Sequence, residues 1–123
     1  MTKKTILASC LVAALAGAAL LFAAPAKPKT VIHVIQVQWK AGTTPAQIEK
    51  AIKAVESMNY PGLKNVWTRP IKMQLPDEYN TIFAMEFASE QALKEYVDSP
   101  AQKAWYETYL PLREESRTSD ITN

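Results

Sequence analysis

The spacing of apolar residues changes character several times along the chain. Residues 6–24 are almost uniformly apolar, with Ser9 and Gly17 as the only interruptions. Val31 to Trp39 then alternates. His33, Ile35, Val37 and Trp39 fall on one face, and Ile32, Val34, Gln36 and Gln38 on the other, which predicts a strand with a core face and a half-polar face. After a turn at Gly42, Thr44-Pro45-Ala46-Gln47 has the form of a capping box with proline at the first helical position. Behind it, Ile48, Ala51, Ile52, Val55 and Met58 recur at helical spacing, with Glu49, Lys50, Lys53 and Glu56 outside.

Asn59-Tyr60-Pro61-Gly62 closes that helix. Leu63 to Met73 contains a second extended run, in which Pro70 limits ladder pairing and points to an edge strand or a strand end. A polar loop covers Leu75 to Asn80. Thr81 to Ala88 predicts a third strand, with Thr81, Phe83, Met85 and Phe87 on one face. A second helix begins at Ser89-Glu90 and turns Ala92, Leu93, Tyr96 and Val97 inward. Ser99-Pro100-Ala101-Gln102 repeats the capping grammar for a third helix that ends near Pro111. From Arg113 to Asn123 only Ile121 is strongly apolar, so a fourth strand there has little signal of its own. The order β-α-β-β-α-(α)-β predicts an α+β class, the ferredoxin-like split βαβ unit, with an antiparallel four-stranded sheet and helices on one face. The other face then carries Ile32, Val34, Val66, Ile82 and Ala84 among polar residues. A second copy of the sheet would cover it, so the expected assembly is a homodimer with two sheets face to face, a dimeric α+β barrel.

Composition sharpens this in one respect. The apolar stretch contributes 17 apolar residues in 19, against 40 in the 97 residues from 27 to 123. With Lys3 and Lys4 ahead of it and Ala24-Pro25-Ala26 behind it, residues 1–26 have the form of a signal peptide cleaved before Lys27. A secreted or periplasmic protein follows, with an uncleaved membrane anchor as the alternative, since 19 apolar residues can just span a bilayer. Cys10 would leave with the leader, and a domain without thiol chemistry would remain. Residues 27–30 make a short tether, and residues 31–123 make one domain. Apart from Lys3 and Lys4, basic and acidic residues balance at 12 each, which argues against nucleic-acid binding by bulk charge. No glycine-rich phosphate loop occurs.

Several segments together resemble the stress-responsive α/β-barrel (Dabb) domain family. They are Ile32-His33-Val34-Ile35, Gly42-Thr43-Thr44, Tyr60-Pro61-Gly62-Leu63-Lys64, Phe87-Ala88-Ser89-Glu90-Gln91-Ala92-Leu93, and Tyr96-Val97-Asp98-Ser99-Pro100-Ala101-Gln102-Lys103-Ala104. The resemblance covers about 31–121 and implies a dimeric ferredoxin-like barrel. The family includes a plant polyketide cyclase with a pocket between sheet and helices. Carried over to matching positions, that pocket implies His33 and Tyr96 as catalytic candidates. It implies Ile35, Val37, Val66, Gln102 and Trp105 as ligand-lining positions. The cyclase's general-base position falls on Gln102, and an amide cannot remove a proton at neutral pH.

Each candidate also has a plain structural role open to it. His33 is a proton shuttle or ligand hydrogen-bonder at a pocket mouth, or a buried neutral histidine satisfied by its own fold. Tyr96 orients a ligand oxygen, or is a half-buried aromatic. Gln102 lines the site, or bonds back to the backbone N–H of the cap residue Ser99. Trp39, Trp67, Trp105, Tyr106 and Tyr109 fill core and interface, or line a pocket for an apolar or aromatic ligand. Glu86 is placed near Gln36 and Gln38 in a polar cluster on the dimer side. A single histidine cannot build a His-rich metal site, and no cofactor is expected. The sequence therefore supports an exported homodimer that binds a small, largely apolar ligand. A non-catalytic interaction module is one alternative, and a cofactor-independent cyclase or monooxygenase-like enzyme is another.

Overall fold

The computed structural model describes residues 24–123, and residues 1–23 of the expected 1–26 leader lie outside them. Seven elements follow in order: β1 (Val31–Trp39), α1 (Pro45–Glu56), β2 (Leu63–Trp67), β3 (Thr81–Phe87), α2 (Glu90–Tyr96), α3 (Pro100–Tyr109) and β4 (Arg113–Ile121). The strands form one sheet in the order β2-β3-β1-β4, with every neighbouring pair antiparallel. This is the expected split βαβ architecture, with β1 and β3 central and β2 and β4 at the edges. No helix among the described residues is long and apolar enough to cross a membrane.

The alternation in β1 and β3 sets the two faces. Val31, Ile35, Val37 and Trp39 are buried on β1, and Phe83, Met85 and Phe87 on β3. These form the core with Ala51 and Val55 of α1, Ala92 and Tyr96 of α2, and Trp105 and Tyr109 of α3. Helix α1 starts as the sequence predicts. The Thr44 side chain accepts from the Gln47 N–H, and the Gln47 side chain accepts from the Thr44 N–H. Such a cap is worth about 1 kcal/mol. The core is braced by indole donors: Trp105 Nε1 donates to the Ala51 carbonyl at 3.1 Å, and Trp39 Nε1 to Thr81 Oγ1 at 2.7 Å.

Strand β2 is an edge strand, as expected, and stops at Trp67, ahead of Pro70, which lacks the N–H that a longer ladder requires. Three sequence expectations need correction. Val66 faces the helices rather than the open face. A bulge between Leu63 and Asn65 places one extra residue in β2, which reverses the alternation beyond it. Val66 therefore pairs with buried Met85, while Trp67 pairs with Ala84 and takes the open face. Val97 is 53% exposed because α2 ends at Tyr96 and the chain leaves in extended conformation. Glu86 lies beside Ile32, not Gln36 or Gln38, and Gln36 pairs with Ile82. Its carboxylate accepts from Asn65 Nδ2 at 2.7 Å and from Thr30 Oγ1 at 2.8 Å. Those two hydrogen bonds, the Asn65 amide first, hold it below the usual carboxylate range.

The weakly signalled C-terminal strand is nine residues long and pairs with β1 along its whole length. It contributes backbone hydrogen bonds rather than apolar burial, which is why its side chains are free to be polar. The residues beyond it turn back to the tether: Thr122 Oγ1 donates to the Thr30 carbonyl at 2.9 Å, and Asn123 Nδ2 to the Pro28 carbonyl at 2.8 Å.

The entry to β2 is close-packed. A Cβ at Gly62 would stand 2.9 Å from both the Ala92 Cβ and the Tyr60 Cε1. Gly62→Ala should therefore cost about 1–3 kcal/mol by overpacking, read as a fall in Tm of about 5 °C or more. An unchanged Tm would show that Tyr60 and α2 yield freely.

Candidate functional site

The residues singled out from sequence lie on β1, β2, α2 and α3, all on the helix side of the sheet. Ile35 and Val37 are buried, and Val66 packs against the same core from the edge. Trp105 is buried and stacks on Tyr109 with ring centroids 4.2 Å apart. The structure does not gather the seven around one cavity. Phe87 fills the space between the two catalytic candidates. Its ring centroid is 6.2 Å from His33 and 4.9 Å from Tyr96. Trp105 opens instead onto a gap of about 330 Å³ between α1 and α3, with Ala54, Met58, Ala101 and Ala104.

Gln102 has a defined structural task. The Ser99 hydroxyl accepts from the Gln102 N–H at 3.2 Å, which caps α3. The Gln102 carbonyl oxygen accepts from the backbone N–H of Asp98 at 2.7 Å, one residue before the cap rather than Ser99 itself. Asp98 has a φ of 63°, and this bond helps hold a left-handed backbone that a residue with a Cβ seldom adopts. The Gln102 amide also donates to the Tyr106 hydroxyl at 3.2 Å. Both ends of the side chain are thus engaged.

Tyr96 is 1% exposed, and its hydroxyl has no hydrogen-bond partner among the described residues. Burial pushes its phenol well above the usual tyrosine range. Tyr96 is therefore a neutral hydroxyl, able to donate a hydrogen bond but not to act as a phenolate.

His33 has gained a partner that sequence reasoning missed. Its Nδ1 lies 2.5 Å from Asp120 Oδ1, because the register of β4 sets Asp120 directly opposite His33. The carboxylate accepts the Nδ1 hydrogen, which leaves Nε2 as the free ring nitrogen, with no partner among the described residues. A strand register is the only signal that could have found Asp120, and a polar edge strand does not announce one. Asp120 also lines a pocket of about 350 Å³ between α2 and the β1–β4 edge. Val31, Leu93, Val97 and Ile121 form its apolar wall, and Glu90 and Lys94 stand with Asp120 as its charged groups. A larger opening of about 500 Å³ runs along α1 past Ile48 and Ile52, but it is an open groove with no histidine beside it. No three His, Cys, Asp or Glu side chains among the described residues come together to hold a metal ion.

The model of the stress responsive A/B barrel domain matches residues 31–123, which is the whole sheet with its helices. The chain belongs to the stress responsive A/B barrel domain family. Its fold recurs in solved structures of low identity. A dimeric ferredoxin-like protein of unknown function from Thermobifida fusca YX superposes with a TM-score of 0.66 at 19% identity, over 78% of this chain and 92% of the other. A hypothetical Arabidopsis thaliana protein gives 0.65 at 24% identity, over 80% and 92%. A hydroxynitrile lyase from Passiflora edulis gives 0.63 at 18% identity, over 76% and 93%. No curated protein matches the chain. These likenesses establish the A/B barrel fold, and the Thermobifida relative is described as dimeric.

The unpartnered Tyr96 hydroxyl makes a clear expectation for this A/B barrel domain. Tyr96→Phe removes a buried, unpaired polar group and should leave stability unchanged or raise it by up to about 1 kcal/mol. A loss above about 1.5 kcal/mol in chemical denaturation would mean that the hydroxyl has a partner in solution.

Proposed function

We propose that the protein is an exported homodimer that binds a small, largely apolar ligand between sheet and helix, with His33 and Asp120 at the polar end of the site. The observation that carries this reading is the pocket between α2 and the β1–β4 edge, which joins an apolar wall to the carboxylate that orients His33. Its volume suits a small ligand, and its lining sets four apolar side chains beside Glu90, Lys94, Asp120 and Thr122. His33 Nε2 then acts as hydrogen-bonder or proton acceptor, and Asp120 fixes the ring. Tyr96, Ile35, Val37 and Trp105 belong to the packed core rather than to this pocket, and Val66 packs against that core from the opposite sheet edge.

The solid core around Phe87 favours a second reading, in which the domain is a dimeric interaction module and His33 is a structural histidine satisfied by Asp120. Catalysis is the further step of the first reading. One A/B barrel structure of similar fold is named a hydroxynitrile lyase, and the His33–Asp120 pair is the group that would move a proton here.

The readings separate on a pocket-filling variant. Leu93→Trp should abolish the thermal shift given by a panel of small phenols and aliphatic carbonyl compounds. His33→Ala and Asp120→Asn should weaken the best binder by roughly 10- to 100-fold, the loss of a good polar contact. If Leu93→Trp binds as well as wild type, or His33→Ala lowers only Tm, the ligand reading fails and the interaction module stands.

Export rests on the leader pattern of residues 1–26. Mass spectrometry of the protein recovered outside the cytoplasm should show a chain starting at Lys27. A membrane-bound chain that keeps Met1 would establish the anchored alternative.

A further inference from the structure

The segment that joins β2 to β3 carries more exposed apolar surface than its length explains. Ile71 is 101% exposed, Trp67 51% and Met73 42%, all within seven residues. Among the described residues, no hydrogen bond holds Arg69 to Leu75. At its start, the segment is anchored by Thr68, whose hydroxyl donates to Glu56. At its end, Tyr79 is 3% exposed and its ring lies under the Arg117 guanidinium, 4.5 Å from the ring centroid. Two fixed ends thus present a free apolar middle.

This middle is continuous with the open face of the sheet. Trp67 sits on that face beside Ala84, and a recess of about 260 Å³ there is lined by Val34, Trp67, Arg69, Pro70, Ile82 and Ala84. Pro70 walls the recess of its own chain, and Ile71 beyond it points into solvent. No part of its own chain covers Ile71. The same loop carries Asp77 and Glu78 close to Arg69 and Lys72, a mixed charge that does not suit an anionic lipid surface. A second copy of the sheet is the occupant proposed for this face.

We infer that Arg69–Met73 is a dimer arm, which crosses the two-fold axis and buries Ile71 against the open sheet face of the second copy. The inference rests on the homodimer proposed above. Two-fold symmetry makes the contact twice, so a single substitution acts at two places. Burial of Trp67 follows from the same arrangement.

The test uses the full chain with Cys10→Ser, so that Ile71→Cys supplies the one thiol for a benzophenone photolabel. Isotopically heavy and light chains are mixed before illumination. The expected result is heavy–light adducts that map to residues 31–39 or 81–87. Ile71→Asp should raise the dimer dissociation constant by roughly 10- to 100-fold in sedimentation, with an unchanged circular dichroism spectrum. Adducts confined to one chain, label delivered to phosphatidylcholine–phosphatidylglycerol vesicles instead, or an Ile71→Asp dissociation constant equal to wild type would each overturn the arm while leaving the dimer intact. A wild-type chain that sediments only as a monomer would overturn dimer and arm together.

Discussion

A four-stranded sheet presents two faces to water, and this chain has helices for only one. The three helices lie over the side formed by Ile35, Val37, Phe83, Met85 and Phe87. On the other side, Ile32, Val34, Ile82, Ala84 and Trp67 stand between polar side chains, too apolar for a solvated surface and too interrupted for a core of their own. The remaining features follow from this imbalance. Two solved structures of similar ferredoxin-like fold are described as dimeric. Glu86 on the open face is already engaged within one chain, by Asn65 and Thr30. Those bonds lower the cost of covering it, since burying a polar group is expensive mainly when it lacks a partner.

The helix side is closed by aromatic packing. Trp105 stacks on Tyr109, Tyr109 meets Trp39 edge to face, and Phe83 meets Trp105 at a right angle. Rings in these orientations fill volume and contribute beyond their buried area. The same packing moves the accessible chemistry away from the middle of the sheet. His33 stands beside Phe87 at the end of the aromatic layer, and Asp120, its hydrogen-bond partner, lines the recess under α2.

Much of the fold is legible in the residues, for identifiable reasons. Strand β1 and helix α1 are clear because each is half-buried, which writes a period of two or of 3.6 into the sequence. The capping grammar at Thr44 and Ser99 is legible because its hydrogen bonds are local. Strand β4 is not, because it is held by a backbone ladder to β1 and asks almost nothing of its side chains. A polar edge strand is also what keeps a sheet from pairing indiscriminately. The Asp120 partner of His33 was hidden with it. The reversal of Val66 and Trp67 turns on one bulged residue, and no alternation pattern reveals a bulge that both strand halves tolerate. The site was therefore legible as a set of residues on one side of the sheet, but not as the pair that forms its polar end.

The bonds from Thr122 and Asn123 to the tether have a mechanical meaning. They tie the stretch before Val31 to the end of β4, so a pull on the chain ahead of the domain is shared with the C-terminal strand before it reaches the core. Asp120 lies only two residues from the first of these ties.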